Sequence, residues 1–229
     1  MEPRAAAAFF DVDGTIARTN IVESHAYFAT RGFGSGRRAL WILGSLPRLL
    51  GYLVLDRASR RRFNRVFYRS YRGHDAAGLR AQATAHFEAV FRPRIFPGAL
   101  AAIAEHRAAG RRVVLVTGSL DFIVAPLAAF LGPADVVAAG LVERAGKFTG
   151  ELAGPPIGEE EKARAVEAFA ARHTIDLAAS WAYGDSIADL PMLRAVGNPV
   201  AVNPDARLRR VARRAGWPIA GWPPARRAS

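Results

Sequence analysis

Ala5-Ala6-Ala7-Ala8-Phe9-Phe10-Asp11-Val12-Asp13-Gly14-Thr15 is the stretch on which the fold turns. An unbroken apolar run ends in two carboxylates one residue apart. Such a run reads as a strand of a parallel sheet buried on both faces, and ligand sites in these sheets lie at the carboxyl ends of the strands. Burying two neighbouring carboxylates is costly unless a positive charge joins them. Oxygen-only ligands make Mg²⁺ the natural candidate. The competing reading is an Asp-x-Asp-Gly turn that closes a strand and does no chemistry.

Three later segments bear on that choice. Arg112–Val116 is a second apolar strand and runs into Thr117-Gly118-Ser119. A hydroxyl followed by glycine at a strand end suits a phosphate oxygen, because backbone can approach it closely. A helix is expected from Ser119 onward, with its N-terminus facing the same anion. Lys162 opens another helical stretch that continues through Ala171. The chain has 30 Arg and two Lys, and a compact ammonium suits a crowded phosphate site better than a guanidinium fork. Lastly, Trp181-Ala182-Tyr183 leads into Gly184-Asp185-Ser186-Ile187-Ala188-Asp189, with two carboxylates about one helical turn apart at a third strand end.

In that order, the four segments resemble the four motifs of the haloacid-dehalogenase (HAD) superfamily, specifically its phosphoserine-phosphatase-like branch, subfamily IB. Asp11-Val12-Asp13-Gly14-Thr15 is similar to motif I, Val116–Ser119 to motif II, Lys162 to motif III, and Gly184–Asp189 to motif IV. The resemblance spans Ala5–Trp217 and extends to Phe96-Pro97-Gly98, Gly140–Gly154 and Gly197–Pro204; across residues 20–91 it is one of length and position. It implies a Rossmann-like doubly wound parallel sheet, formed by residues 1–19 and 92–229, with a helical cap of the C1 type inserted at 20–91. It also implies a Mg²⁺-dependent phosphomonoesterase in which Asp11 is the nucleophile and Asp13 the general acid and base. Asp11, the Asp13 main-chain carbonyl and Asp185 would hold the metal. Thr117, Gly118 and Lys162 would bind phosphate, with Asp189 and Ser119 in support.

Patterning by itself agrees with an α/β fold. Apolar strands near 5–10, 112–117, 135–139, 180–183 and 199–203 alternate with helical stretches near 98–109, 119–131, 159–172 and 188–195. The absence of cysteine excludes disulfides and thiolate metal sites and fits a reducing cytoplasm. No signal peptide is expected, since the first apolar run is six residues long and leads straight into the carboxylate pair. Residues 221–229 are expected to form a loose tail. His25, His74, His86, His106 and His173 have no metal-ligand spacing and read as packing or surface residues. Ser119 lacks the partners of a serine hydrolase.

The net charge is +12, and most of it falls within the insert: residues 37–72 contain ten arginines and one acid, Asp56. The same region holds the 17-residue apolar stretch Ala39–Leu55, whose one charge is Arg48. Three readings of it stay open. It could be a pair of packed helices broken at Pro47, an interfacial segment docking on the anionic inner face of a membrane, or a membrane span. Nucleic-acid binding is disfavoured, since the arginines adjoin an apolar block and no nucleic-acid motif is present.

The resemblance departs from phosphoserine phosphatases at Asn20, nine residues after Asp11, where those enzymes carry a Glu for the substrate amine; the nearest acid here is Glu23. The substrate therefore stays open between a small phosphorylated metabolite and a lipid phosphate of the phosphatidylglycerophosphate or lysophosphatidate type. A non-catalytic anion- or membrane-binding protein is the rival from another class, and oligomeric state is not encoded in any pattern found.

Overall fold

A computed structural model describes residues 5–37, 39–45 and 66–225 of the chain. Strand β1 (Ala7–Phe10) is inaccessible to solvent at all four positions. Its alternation feeds two cores, with Ala8 and Phe10 in one apolar cluster and Ala7 and Phe9 in the other. Strand β2 (Arg112–Leu120) divides likewise, Val113 and Leu115 against Val114 and Val116. A strand covered on both faces must be apolar at every position, which is why these segments read as runs and not as alternations.

Strands β3 (Asp135–Ala139), β6 (Trp181–Gly184), β7 (Asn198–Val202) and β8 (Ile219–Ala220) complete a six-stranded sheet in the order β3-β2-β1-β6-β7-β8. Every pairing in it is parallel. The chain builds outward from β1 through β2 to β3, then returns to the other side through β6, β7 and β8. The order reverses at β1 and β6, and a crevice opens beyond the carboxyl ends of strands at such a point. Strands β4 (Leu141–Arg144) and β5 (Lys147–Leu152) form a separate antiparallel hairpin.

Helix α1 (Ile21–Thr30) follows β1 and is capped by Asn20, whose Oδ1 accepts from the amides of Val22 and Glu23. Two short helices, α2 (Ala76–Ala81) and α3 (Ala83–His86), precede β2 and lead into a π-turn and a 3₁₀ turn. Outside this insert the helices are α4 (Pro97–Ala108), α5 (Asp121–Leu131), α6 (Glu160–Arg172), α7 (Leu190–Arg194) and α8 (Ala206–Ala215). Phe28 of α1 stacks on His86 at 4.9 Å and meets Phe122 of α5 at 5.9 Å. Phe67, Tyr68 and Tyr71 are buried in the same apolar cluster as β1. The two chain segments that join the insert to the sheet run side by side: Ala17 bridges Ile95, Arg18 N donates to Arg94 O, and Phe96 N donates to Ile16 O. Glu23 pairs with Arg94 at 2.7 Å beside them.

Residues 39–45 are helical, with Leu40 71% and Leu43 64% exposed. The rest of the apolar stretch and the arginines at 57–65 lie outside the described residues. Among the described residues, no helix is long and apolar enough to cross a membrane.

Two expectations are corrected. β2 continues to Leu120, so α5 begins at Asp121 and not at Ser119. In its first turn the Asp121 carboxylate accepts from Phe122 N at 2.6 Å. Residues 221–222 are anchored and not loose. Asn203 exchanges two hydrogen bonds with the Trp222 main chain, at 3.0 and 2.9 Å, and the indole stacks on Tyr183 at 5.9 Å. Helix α8 and the β4–β5 hairpin are further elements that the alternation did not show. The histidines behave as packing residues where buried, His86 and His106 being almost inaccessible.

Candidate active site

All eight residues singled out from the sequence line one cavity of about 220 Å³ at the reversal point of the sheet: Asp11, Asp13, Thr117, Gly118, Ser119, Lys162, Asp185 and Asp189. Asp11 is the first residue past β1, and its amide continues the ladder to Tyr183 O at 3.0 Å. Lys162, in the first turn of α6, reaches across with its Nζ between two carboxylates. It donates to Asp11 Oδ1, and to Asp189 Oδ1 at 2.5 Å. The three side chains are 7%, 7% and 2% exposed for Lys162, Asp11 and Asp189.

These buried charges settle unequally. Asp189 Oδ2 also accepts from the amides of Asp185 and Ser186 and from the Ser186 hydroxyl. Burial alone would raise its pKa, but Lys162 and Ser186 outweigh that and hold it below the usual carboxylate range. Asp11 has the Lys162 contact without such a set of amides. Burial pushes it up to about 7, with Lys162 pulling the other way and Asp189 and Asp13 adding to the rise. Burial would lower the Lys162 pKa, yet Asp11 and Asp189 reverse that and keep the ammonium charged.

Asp13 is held at both oxygens. Thr19 donates to Oδ1 at 2.7 Å, and Ser119 donates to Oδ2 at 2.6 Å. The register between β2 and β3 shifts between Val116 and Leu120, so residues 117–119 leave the regular ladder at the cavity. There the Thr117 hydroxyl accepts from Ser119 N at 3.0 Å, which leaves its proton for another acceptor. The hydroxyl of Tyr68, from the insert, donates to the Gly118 carbonyl.

The donor set fits a hard divalent cation. Asp11, Asp185 and Asp189 each offer an oxygen, and these lie within 4.8 Å of one another. Asp189 is saturated by Lys162 and the Ser186 turn, which leaves Asp11 and Asp185 as the carboxylates able to take Mg²⁺. Gly14 makes room for this: at φ +95° it lies so close to Asp185 that an added Cβ would come within 2.2 Å of Oδ2.

Sequence reasoning missed three contributors. Thr19 and Tyr68 act through tertiary contacts that leave no local pattern. Ser186 was readable, since Ser-x-x-Asp is a capping-box spacing, and the Ser186–Asp189 box is formed.

The family model for haloacid dehalogenase-like hydrolases matches residues 8–194. A probable phosphatase of Mycobacterium tuberculosis H37Rv is 37% identical over 220 residues, covering 95% of this chain and 76% of that protein. A phosphoserine phosphatase of the same organism is 35% identical over 228 residues, covering 98% of this chain and 73% of that one. A crystal structure of a protein of unknown function from Bordetella pertussis Tohama I superposes with a TM-score of 0.81 at 27% identity, covering 95% of this chain and 99% of that chain. Sequence, fold and the ordering of the strand-end aspartates agree: the chain belongs to the haloacid dehalogenase-like hydrolase family and is one of its phosphatases.

Proposed function

We propose that the chain hydrolyses a small phosphomonoester through a phosphorylated Asp11. The observation that carries this reading is Lys162 Nζ shared between Asp11 and Asp189, with Asp13 held at both oxygens in the same cavity. Asp11 presents a carboxylate oxygen to the phosphorus, forming the Asp11–phosphorus bond as the ester P–O bond breaks. Asp13 gives its proton to the departing alcohol oxygen, then takes one from the water that cleaves the Asp11–phosphorus bond and releases phosphate. Thr117, the Gly118 amide and Lys162 neutralise the phosphoryl oxygens, and charge placement of this kind supplies most of the catalysis in phosphoryl transfer. Asp11, Asp185 and the Asp13 carbonyl would hold Mg²⁺, whose charge offsets that of the phosphoryl group. The insert at 20–91 serves as a cap, its Tyr68 touching Gly118 from above the sheet's carboxyl end.

A cavity of about 220 Å³ has room for a phosphoryl group and a few further heavy atoms, which favours a small metabolite. The lipid-phosphate and membrane-docking alternatives rest on composition alone. The test is phosphate release from p-nitrophenyl phosphate and O-phosphoserine with Mg²⁺, with acid-quench trapping of the labelled enzyme. Asp11→Asn is expected to remove the trapped label and lower turnover by at least about 10³-fold. Turnover that survives Asp11→Asn would refute the mechanism.

A further inference from the structure

A second recess, of about 560 Å³, lies where the insert meets the β4–β5 hairpin and shares no residue with the catalytic cavity. Arg69 and Arg72 line it from the 3₁₀ turn Tyr68–Tyr71 and the residue after that turn; Arg144 and Lys147 line it from the hairpin opposite. Lys147 is one of only two lysines in the chain, the other being Lys162. The backbone around the recess is tied together. Gly73 N donates to Phe148 O at 2.8 Å, Phe148 N to His74 O at 3.0 Å and Ala76 N to Gly146 O at 2.9 Å. At φ +79°, Gly150 lets the turn approach so closely that an added Cβ would lie 3.0 Å from Arg69 Cα and 3.1 Å from Arg72 Cβ. Walls held in this way lower the ordering cost of gathering four long side chains around one ligand.

The charge on these walls is not neutralised nearby. Glu151 is the one acid in the lining. Glu143 of the hairpin is paired with Arg80 at 2.6 Å, and Asp75 caps α2 through Gly78 N. Among the described residues, none of Arg69, Arg72, Arg144 and Lys147 forms an ion pair. Cations facing one space repel one another, and an anion between them relieves that repulsion while gaining charge-assisted hydrogen bonds. Arg209, Arg210, Arg213 and Arg214 of α8 edge another recess, but all four come from one helix and no second element brings a cation to its lining.

Size and lining narrow the ligand. A volume of about 560 Å³ is ordinary for a small-molecule site, and cations on opposite walls call for an anion with more than one charged group. The lining offers no open aromatic face for a nucleobase. Phe148 is 2% exposed, stacked on Phe122 at 5.6 Å and covered by the Arg80 guanidinium at 5.3 Å.

We infer that the cleft between the Tyr68–Tyr71 turn and the β4–β5 hairpin is a second anion site, which takes a linear chain of two or more phosphates outside the catalytic cavity. This goes beyond the phosphatase reading and does not depend on the reaction at Asp11.

The test is calorimetric binding of tripolyphosphate to the full chain, with Mg²⁺ in excess and salt at about 0.15 M. Arg72→Ser combined with Lys147→Ser is expected to weaken binding at least about tenfold, the scale of one hydrogen bond to a charged group. Arg69→Ser combined with Arg144→Ser removes the other two cations and gives the same reading should the first variant fail to fold, which circular dichroism reports. Arg209→Ser combined with Arg213→Ser takes the same charge from α8 and is expected to change affinity by less than about twofold. Orthophosphate, which spans less of the cleft, is expected to bind at least about tenfold more weakly than tripolyphosphate, and ATP no more tightly. Absence of tripolyphosphate binding, or a loss in the cleft variants no larger than in the α8 variant, overturns the inference. Tighter binding of ATP or of orthophosphate overturns the ligand class.

Discussion

Replacing Lys162 by Met removes the one cation shared by two buried carboxylates while keeping similar side-chain bulk. Asp11 and Asp189, 7% and 2% exposed, would then face each other with no ammonium between them. Breaking a buried ion pair from one side costs about 3–5 kcal/mol, because the surviving charge has lost its partner but not its burial. Here the chain has a way to relieve part of that cost. Asp11 already titrates at about 7 with the lysine present, and without it the pKa rises further. A carboxyl whose folded pKa lies above its unfolded value binds more protons when folded, so the folded state gains stability as pH falls. The Lys162→Met penalty should therefore be largest near pH 8.5 and shrink toward pH 5.5 as Asp11 takes up a proton. Urea denaturation of both proteins in EDTA, with no divalent ion to replace the lysine, measures the difference at each pH. A penalty below about 1 kcal/mol at pH 8.5, or one that does not change with pH, would refute the account of these buried charges.

Gly14→Ala should weaken Mg²⁺ binding and turnover together, because a Cβ at φ +95° lands 2.2 Å from Asp185 Oδ2; Mg²⁺ titration of activity checks it, and unchanged Mg²⁺ dependence would contradict it. His86 is solvent-inaccessible, neither ring nitrogen has a hydrogen-bond partner among the described residues, and burial lowers its pKa to about 4. Since the unfolded chain then binds the extra proton, stability is lost as pH falls from about 6.5 to about 4, by up to roughly 3 kcal/mol. Wild type minus His86→Phe should isolate that slope in denaturation curves. Trp222→Ala gives up the stack on Tyr183 and should cost about 1–3 kcal/mol with little effect on KM, read by thermal unfolding beside steady-state kinetics.

The candidate site was legible because most of its residues sit where an apolar run ends, so site and fold share short stretches of chain; Lys162, in the first turn of α6, is the exception. Asp11 and Asp185 directly follow β1 and β6, and Thr117 follows the apolar run Val113–Val116 within β2, segments that are apolar because they serve two cores. The long-range contacts that tune them were not legible, even where the residue itself had been singled out. Ser119 holds Asp13 across 106 residues, and Tyr68 reaches Gly118 across 50. The β4–β5 hairpin was obscured at its turn, where Ala145 and Gly146 both have positive φ. Such a turn is usually announced by Asn-Gly or Asp-Gly, and Ala145 gives no such sign. Helix α8 buries only Leu208 and Ala212 among its five arginines, too sparse a stripe to show a helical period. β8 is two residues long, below what alternation can register. The departure of α5 from expectation has a similar cause: Ser119 starts no helix because its hydroxyl is drawn to Asp13 and its amide to Thr117.

The side-by-side joining of residues 16–18 to 94–96 has a consequence for how this chain can change. Everything between those segments is a ring closed at its base, and the entropy of closing a ring grows only with the logarithm of its length. Doubling the number of residues inside would add about 0.6 kcal/mol. Material can therefore be gained, lost or exchanged above the ladder at small thermodynamic cost, while Asp11 and Asp13, below it, keep their spacing. On the proposed reading, the reacting carboxylates and the cap thereby fall on parts of the chain that can diverge at different speeds.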